Sequence, residues 1–286
     1  PFVGEGELDQ LGLPADDPRR VAVRLANPLS DEQPLMRTSL LPGLLAGARR
    51  NVGRGAESVH IYEYGQVFRD VETVDAPVAP AGSRPADDVL DEMLSGLPRQ
   101  PEHLGFVLCG DWSQAGWWGV GRPVDWSDAV RLAALVARAA GVEVEVAQDA
   151  HSPWHPGRCA RLSVAGQVIG HAGELHPDVV AAFGLPVRSC AGEMDLSILL
   201  DAASPVASAP RVSTFPVAKE DVALVVDEGL AADAVREALR SGGGSLLESV
   251  RLFDVYSGPQ VPEGKKSLAF SLRMRADDRT LTDEDI

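Results

Sequence analysis

Apolar residues in this chain change rhythm every ten to twenty positions, and each change marks an element. Val21-Ala22-Val23-Arg24-Leu25 alternates and predicts a strand, followed by a turn at Asn27-Pro28-Leu29-Ser30. Thr38-Ser39-Leu40-Leu41-Pro42 has the hydroxyls and early proline of a helix start. Leu44, Leu45 and Ala48 then share a face, and Gly53 is the stop. His60 to Arg69 reads as a long strand and Gly105 to Gly110 as a buried one. Ser127 is placed to cap a helix over Asp128–Ala140, whose Val130, Ala133, Ala134 and Ala137 line one side before Gly141. Strands at Glu143–Ala147, Arg161–Val164 and Gln167–His171, a helix at Pro177–Phe183 and a short strand at Gly192–Asp195 follow. Residues 71–101, rich in Pro, Ala, Asp and Gly, predict a loop-like insertion with a short helix near Val89–Leu94.

The small, proline-containing stretch Ala202–Pro210 predicts a domain boundary. Beyond it the order is strand (Asp221–Val226), helix (Ala231–Arg240), a loop at Gly242–Gly244, strand (Leu247–Tyr256), strand (Ser267–Arg275) and a helix start at Thr280–Ile286. That β-α-β-β-α order is the opening of a ferredoxin-like unit whose last strand is missing.

Composition narrows the class. With 286 residues, 45% of them hydrophobic, the chain can fill two cores. No apolar run reaches the ~18 residues of a membrane span, and no signal segment is visible. The start at Pro1-Phe2-Val3-Gly4, without Met, reads as a fragment. Cys109, Cys159 and Cys190 are odd in number and far apart, which suits a reducing cytoplasm better than a disulfide framework. The formal charge of −16 makes the chain a poor general binder of nucleic acid, so any RNA site must be local. Residues 211–286 are less acidic than the remainder, with ten Lys/Arg against fourteen Asp/Glu, and five of those bases lie between Lys265 and Arg279.

Several short motifs carry less than their letters suggest. His151, His155 and Cys159 have helical i, i+4, i+8 spacing, but Pro153, Pro156 and Gly157 forbid a helix there, which favours a structural role over metal ligation. Gly264-Lys265-Lys266-Ser267 lacks the first glycine of a phosphate loop, Pro259 standing in its place, and a strand follows it instead of a helix. Gly242–Gly244 and Gly119-Val120-Gly121 are also too incomplete to bind phosphate. Glu220-Asp221 is a solvated strand edge or a positioning contact. Trp112, Trp117, Trp118, Trp126 and Trp154 mostly surround one glycine-rich loop, where core or subunit contact is favoured over ligand stacking. No nucleophile–base set and no paired catalytic carboxylates stand out.

Two segments say more. Arg251-Leu252-Phe253-Asp254-Val255-Tyr256-Ser257 and Gly264-Lys265-Lys266-Ser267-Leu268-Ala269-Phe270 predict a strand pair joined by a Gly/Pro turn. One face would carry a ring, a carboxylate, a hydroxyl and two lysines, which suits unpaired RNA bases. Glu63-Tyr64-Gly65-Gln66-Val67-Phe68-Arg69 resembles the second signature motif of class II aminoacyl-tRNA synthetases, in which the arginine holds the ATP α-phosphate. Here the acidic follow-up is displaced to Asp70-Val71-Glu72, no glycine-rich strand–helix segment ending in Arg follows, and Ala191-Gly192-Glu193-Met194-Asp195 puts acids where a cation is wanted. The expectation is a catalytic-type fold without catalysis.

The whole chain resembles the C-terminal part of bacterial phenylalanyl-tRNA synthetase β subunits. The resemblance rests on Leu25-Ala26-Asn27-Pro28-Leu29-Ser30, Met36 to Leu45, Glu63 to Arg69, His155-Pro156-Gly157-Arg158, Gly170 to Pro177, Phe253-Asp254-Val255-Tyr256, Gly264 to Leu268 and Arg279-Thr280-Leu281-Thr282, in family order. It implies an α+β chain. Residues 1–205 would form an inactive, class II synthetase-like antiparallel-sheet domain, and 211–286 a ferredoxin-fold anticodon-binding domain truncated at its C-terminus. It further implies an α2β2 ligase in the cytoplasm that charges tRNA(Phe) at an active site on the α subunit, with ATP and Mg2+ used by the whole enzyme and no cofactor, metal or catalytic residue in this fragment. The family's anticodon-reading residues map to Asp254, Tyr256 and Ser267. Tyr256 offers a face for a base, Asp254 can accept from a guanine edge, and Ser267 can donate or accept. Lys265, Lys266, Arg273, Arg275 and Arg279 are candidate phosphate contacts. Without the family, Tyr256 could equally be a plain sheet-surface aromatic. The alternatives are a scaffold or dimerisation protein that has lost RNA binding, or an independent ATP-using ligase.

Overall fold

In a computed structural model, described for residues 2–69, 77–79, 81–204, 206, 209, 212–282 and 284–285, the chain separates into two compact units, 1–207 and 208–286.

The first unit opens with β1 (Phe2–Val3), α1 (Glu5–Gln10), β2 (Leu35–Met36), α2 (Leu41–Gly53), β3 (Val59–Gln66) and α3 (Asp87–Ser95). It continues with β4 (Glu102–Cys109), β5 (Asp111–Ser113), β6 (Arg122–Pro123) and α4 (Trp126–Ala139). Then come β7 (Glu145–Asp149), β8 (Trp154–Val164), β9 (Gln167–Leu175), α5 (Pro177–Phe183), β10 (Cys190–Asp195) and α6 (Leu196–Asp201). Six strands form an antiparallel sheet in the order β3-β4-β10-β9-β8-β7. Helices cover both faces. Val107 and Cys109 of β4 enter the core shared with α2 and α5, while Phe106 and Leu108 enter the core shared with α4 and α6. A strand buried on both sides must be apolar at every position, which is why the Gly105–Gly110 segment reads as an unbroken run.

Several sequence expectations shift here. Residues 21–25 are not a regular strand. They make one bridge, Arg24 to Leu35, and Leu25 N donates to Pro34 O at 2.9 Å, because the facing β2 is only two residues long. The α4 cap is Asp125, whose carboxylate accepts from Ser127 N at 2.7 Å, with Asp128 bonding back to Asp125 N at 3.1 Å. Ser127 lies inside the helix, since a carboxylate two positions earlier satisfies the free amides first. The core reading of the tryptophans holds for Trp154, whose indole donates to Ala191 O at 2.8 Å. Trp117 is 94% exposed, and Trp112, Trp118 and Trp126 are also exposed. The segment Asp70-Val71-Glu72 lies outside the described residues.

The second unit contains β11 (Ala218–Asp227), α7 (Ala232–Gly243), β12 (Leu247–Tyr256) and β13 (Lys265–Met274), with sheet order β11-β13-β12, all antiparallel. α7 lies on one face, where Val235 packs with Val250, Leu268 and Phe270. Gly242 and Gly243 belong to the helix rather than to a loop. Of the expected helix start at 280–286, residues 283 and 286 lie outside the described set. The rest forms a turn in which Thr282 N and Oγ1 both donate to Asp285 Oδ2 at 3.0 Å.

Candidate nucleic-acid interface

The sequence places alternate residues of a strand on alternate faces, so Val250 and Leu252 in the core would send Asp254 and Tyr256 into the core as well. The register forbids this. Leu252 pairs with Phe270, and the next paired residue is Asp254, opposite Ala269, so Phe253 is the extra residue of a β-bulge. The bulge reverses the phase of the strand. Val255 then pairs with Leu268 on the helix side, while Asp254 and Tyr256 pair with Ala269 and Ser267 on the opposite side. A second slip at Glu248 places Ser249 opposite Arg273 and keeps Val250 inward.

The face away from α7 can therefore be read as rows across three strands. They are Tyr256–Ser267–Val225, Asp254–Ala269–Ala223, Arg251–Ser271–Asp221 and Ser249–Arg273–Lys219. Its floor is made of Ala223, Ser267, Ala269, Ser271 and Ser249, side chains small enough to let a flat group approach the sheet. Asp254 is exposed and Tyr256 is 38% exposed. Gly258 supports the ring from below: a Cβ there would lie 2.0 Å from the Tyr256 Oη and 2.2 Å from Cζ. The three residues expected to read a base thus lie together on one solvent-facing surface.

The basic residues divide differently. Lys266 pairs with Val226 on the α7 side, so it does not share the face of Tyr256 and only one of the two expected lysines does. Lys265 is on the open face, but its Nζ meets Asp227 at 2.7 Å. Arg273 meets Glu248 at 3.4 Å. Arg275 donates to Ser213 O at 3.0 Å and lies 3.6 Å from Glu248. Arg279 is held by Asp285 at 2.8 Å. The bulge, the small-residue floor, Gly258 and the open-face cations Arg251 and Lys219 were not singled out from the sequence. The one legible signal for them was the apolar pair Leu252-Phe253, which breaks the alternation.

The first unit holds a cavity of about 390 Å3 lined by Arg19, Arg69, Arg99, His103, Glu193 and Asp195 among others. Glu193 is the buried centre of its wall. It accepts from Ser39 Oγ, from Leu40 N at 3.2 Å and from His103 Nδ1 at 2.7 Å. Burial alone would raise its pKa, but the His103 and Ser39 hydrogen bonds and the nearby positive charge hold it well below the usual carboxylate range. Glu63, the acid of the synthetase-like motif, is engaged by Arg37, which lies over Gly65; a Cβ at Gly65 would sit 2.3 Å from that guanidinium. Arg69 is bridged through its backbone to Arg99. The cavity lining thus sets the carboxylates of Asp17, Glu193 and Asp195 alongside Arg19, Arg69 and Arg99. His151 stacks on His171 at 4.0 Å, His155 faces His176, and burial pushes the Cys159 thiol up to about 11, so the three are not gathered into a metal site. Among the described residues no group of three or more His, Cys, Asp or Glu is arranged to hold a metal, and no helix is long and apolar enough to cross a membrane.

Comparison with known proteins agrees with both units. Residues 1–196 match the family model of the phenylalanyl tRNA synthetase beta chain CLM domain, and residues 213–286 match the ferredoxin-fold anticodon binding domain. The chain belongs to the family of phenylalanine–tRNA ligase β subunits. It is 52% identical over 290 residues to the β subunit of Streptomyces avermitilis, 51% identical to that of Thermobifida fusca, and 46% identical to that of Corynebacterium glutamicum. Each of these alignments covers 100% of the chain, and the chain spans about a third of each relative, 34–35%. Structural work is visible within the segments quoted for the resemblance. Arg158, for example, pairs with the buried Glu174 at 2.9 Å.

Proposed function

We propose that this chain serves a phenylalanine–tRNA ligase by reading the tRNA(Phe) anticodon with the open sheet face of residues 211–286. Residues 1–205 act as a non-catalytic class II-like body that packs on the α subunit of an α2β2 enzyme. ATP and phenylalanine are handled on α, Mg2+ serves the whole enzyme, and the assembly works in the cytoplasm, in keeping with three unpaired cysteines. The observation that carries the reading is the Phe253 bulge, which turns Asp254 and Tyr256 to the solvent beside Ser267. Tyr256 stacks on one unpaired base, Asp254 accepts from a guanine Watson–Crick edge, and Ser267 adds a hydroxyl. Base stacking on such a ring contributes about 1–3 kcal/mol.

The test is Tyr256→Ala in the full α/β enzyme. tRNA(Phe) affinity and aminoacylation efficiency should both fall, with amino-acid activation in the absence of tRNA unchanged. Unaltered affinity and charging would remove the anticodon role. One observation favours a second reading, a scaffold without RNA binding: Lys265, Arg273, Arg275 and Arg279 are each occupied by carboxylates of the same unit. Co-purification with α by a protein whose tRNA affinity ignores Tyr256→Ala would select it.

A further inference from the structure

Among the described residues the open face carries four cations, Lys219, Arg251, Lys265 and Arg273. Two are neutralised by neighbours, Lys265 by Asp227 and Arg273 by Glu248. Arg251 and Lys219 are exposed and have no hydrogen-bond or ion-pair partner among the described residues. The carboxylate in the row of Arg251 is Asp221, two strands away across Ser271, and two ladder spacings put it about 10 Å off. Tyr256 sits opposite Ser267 and Arg251 opposite Ser271, four residue steps apart on β13, or about 13 Å, with Asp254 opposite Ala269 between them. Lys219 stands one row further, beside Arg273.

An unpaired cation is the group a phosphate binds without first displacing a carboxylate. Placed in line with a stacking ring, and separated from it by small side chains, it gives a nucleotide chain a direction. We propose that Arg251 and Lys219 hold the RNA backbone on this face, so that the bound strand runs from the base on Tyr256, past Asp254, toward the Arg251–Lys219 end of the sheet. This assignment rests on the anticodon reading above and extends it. The residues that specify the base and those that grip phosphate lie at opposite ends of one track, and the ion-paired cations at the rim contribute less.

The experiment uses full-length β chain assembled with α and measures tRNA(Phe) affinity across a salt series. Each phosphate contact to single-stranded nucleic acid contributes about 0.7 to the slope of log affinity against log salt. Arg251→Gln and Lys219→Gln should therefore each flatten the slope by about 0.7 and weaken binding about 4-fold at ~0.15 M salt. The loss should be equal for a tRNA with a substituted anticodon base, since phosphates carry no sequence. Arg240→Gln on α7, which covers the other side of the sheet, should leave the slope unchanged. Both positions are exposed and unpaired, so melting temperatures should stay at the wild-type value. If Tyr256→Ala weakens binding while Arg251→Gln and Lys219→Gln leave slope and affinity unchanged, the track is wrong and the anticodon reading stands. If Tyr256→Ala also has no effect, both are wrong. An equal drop in slope for Arg240→Gln would overturn the track as well, because the charge effect would then be general.

Discussion

Gly258 offers a sharp way to disturb recognition without touching a recognising side chain. In Gly258→Ala the new Cβ would sit 2.0 Å from the Tyr256 hydroxyl oxygen and 2.2 Å from Cζ. Ordinary non-bonded separations are about 3.5–4.0 Å, so the ring must move by about 1.5 Å or more. The obstacle is the free end of one exposed side chain, so the movement is cheap for the fold. Gly258 has no left-handed φ, and replacing such a glycine by Ala stabilises by about 0.4–1 kcal/mol through the unfolded chain. Folding stability should therefore stay within about 1 kcal/mol of wild type. Recognition should not. Loss of the stack removes about 1–3 kcal/mol, or about 5- to 150-fold in the tRNA(Phe) dissociation constant. The assay is tRNA binding by the assembled enzyme, paired with thermal unfolding and run as a double-mutant cycle with Tyr256→Ala. Gly258→Ala should have little further effect once the ring is gone, because both changes act on one contact. Wild-type affinity in Gly258→Ala, or additive losses in the double mutant, would refute the idea that Gly258 seats the ring.

Three other perturbations test the frame. Deleting Phe253 removes the extra residue, so Asp254 follows Leu252 directly, stays opposite Ala269 and keeps Tyr256 on the open face; anticodon-dependent binding should be retained, and its loss would show that the bulge itself, not the register beyond it, shapes the site. In the first unit, His103→Ala leaves the Glu193 charge buried without its main partner and should destabilise by about 3–5 kcal/mol in urea unfolding. Because the folded pKa of Glu193 is depressed, its contribution is complete above the ordinary value of 4.5 and is lost as pH falls toward about 2. Glu193→Gln should flatten the stability–pH curve in that window, and an unchanged curve would show that the group does not titrate as the geometry implies.

The amino-acid sequence carried much of this protein. Apolar rhythm located the long elements because helix and strand periods are properties of the local chain: α2, α5, β4, β12 and β13 fall where the pattern placed them. The family-specific segments carried the kinship, since Asp254, Tyr256 and Ser267 can be picked out by matching letters. Local pattern failed where the answer depended on something distant. Val21–Leu25 alternates like a strand, yet finds only a two-residue partner. Of the five tryptophans, for which the pattern favours core or subunit contact, four take no part in the core and lie on the surface. The faces of β12 were decided by tertiary structure alone: packing Val250 and Leu252 against α7 and Val255 beside Leu268 requires one residue to be left out of register, and the chain leaves out Phe253. Charge followed the same rule. Counting lysines and arginines gave a basic stretch, but which of them stay free for a phosphate depends on where Asp227, Glu248 and Asp285 come to rest, and no period in the sequence encodes that.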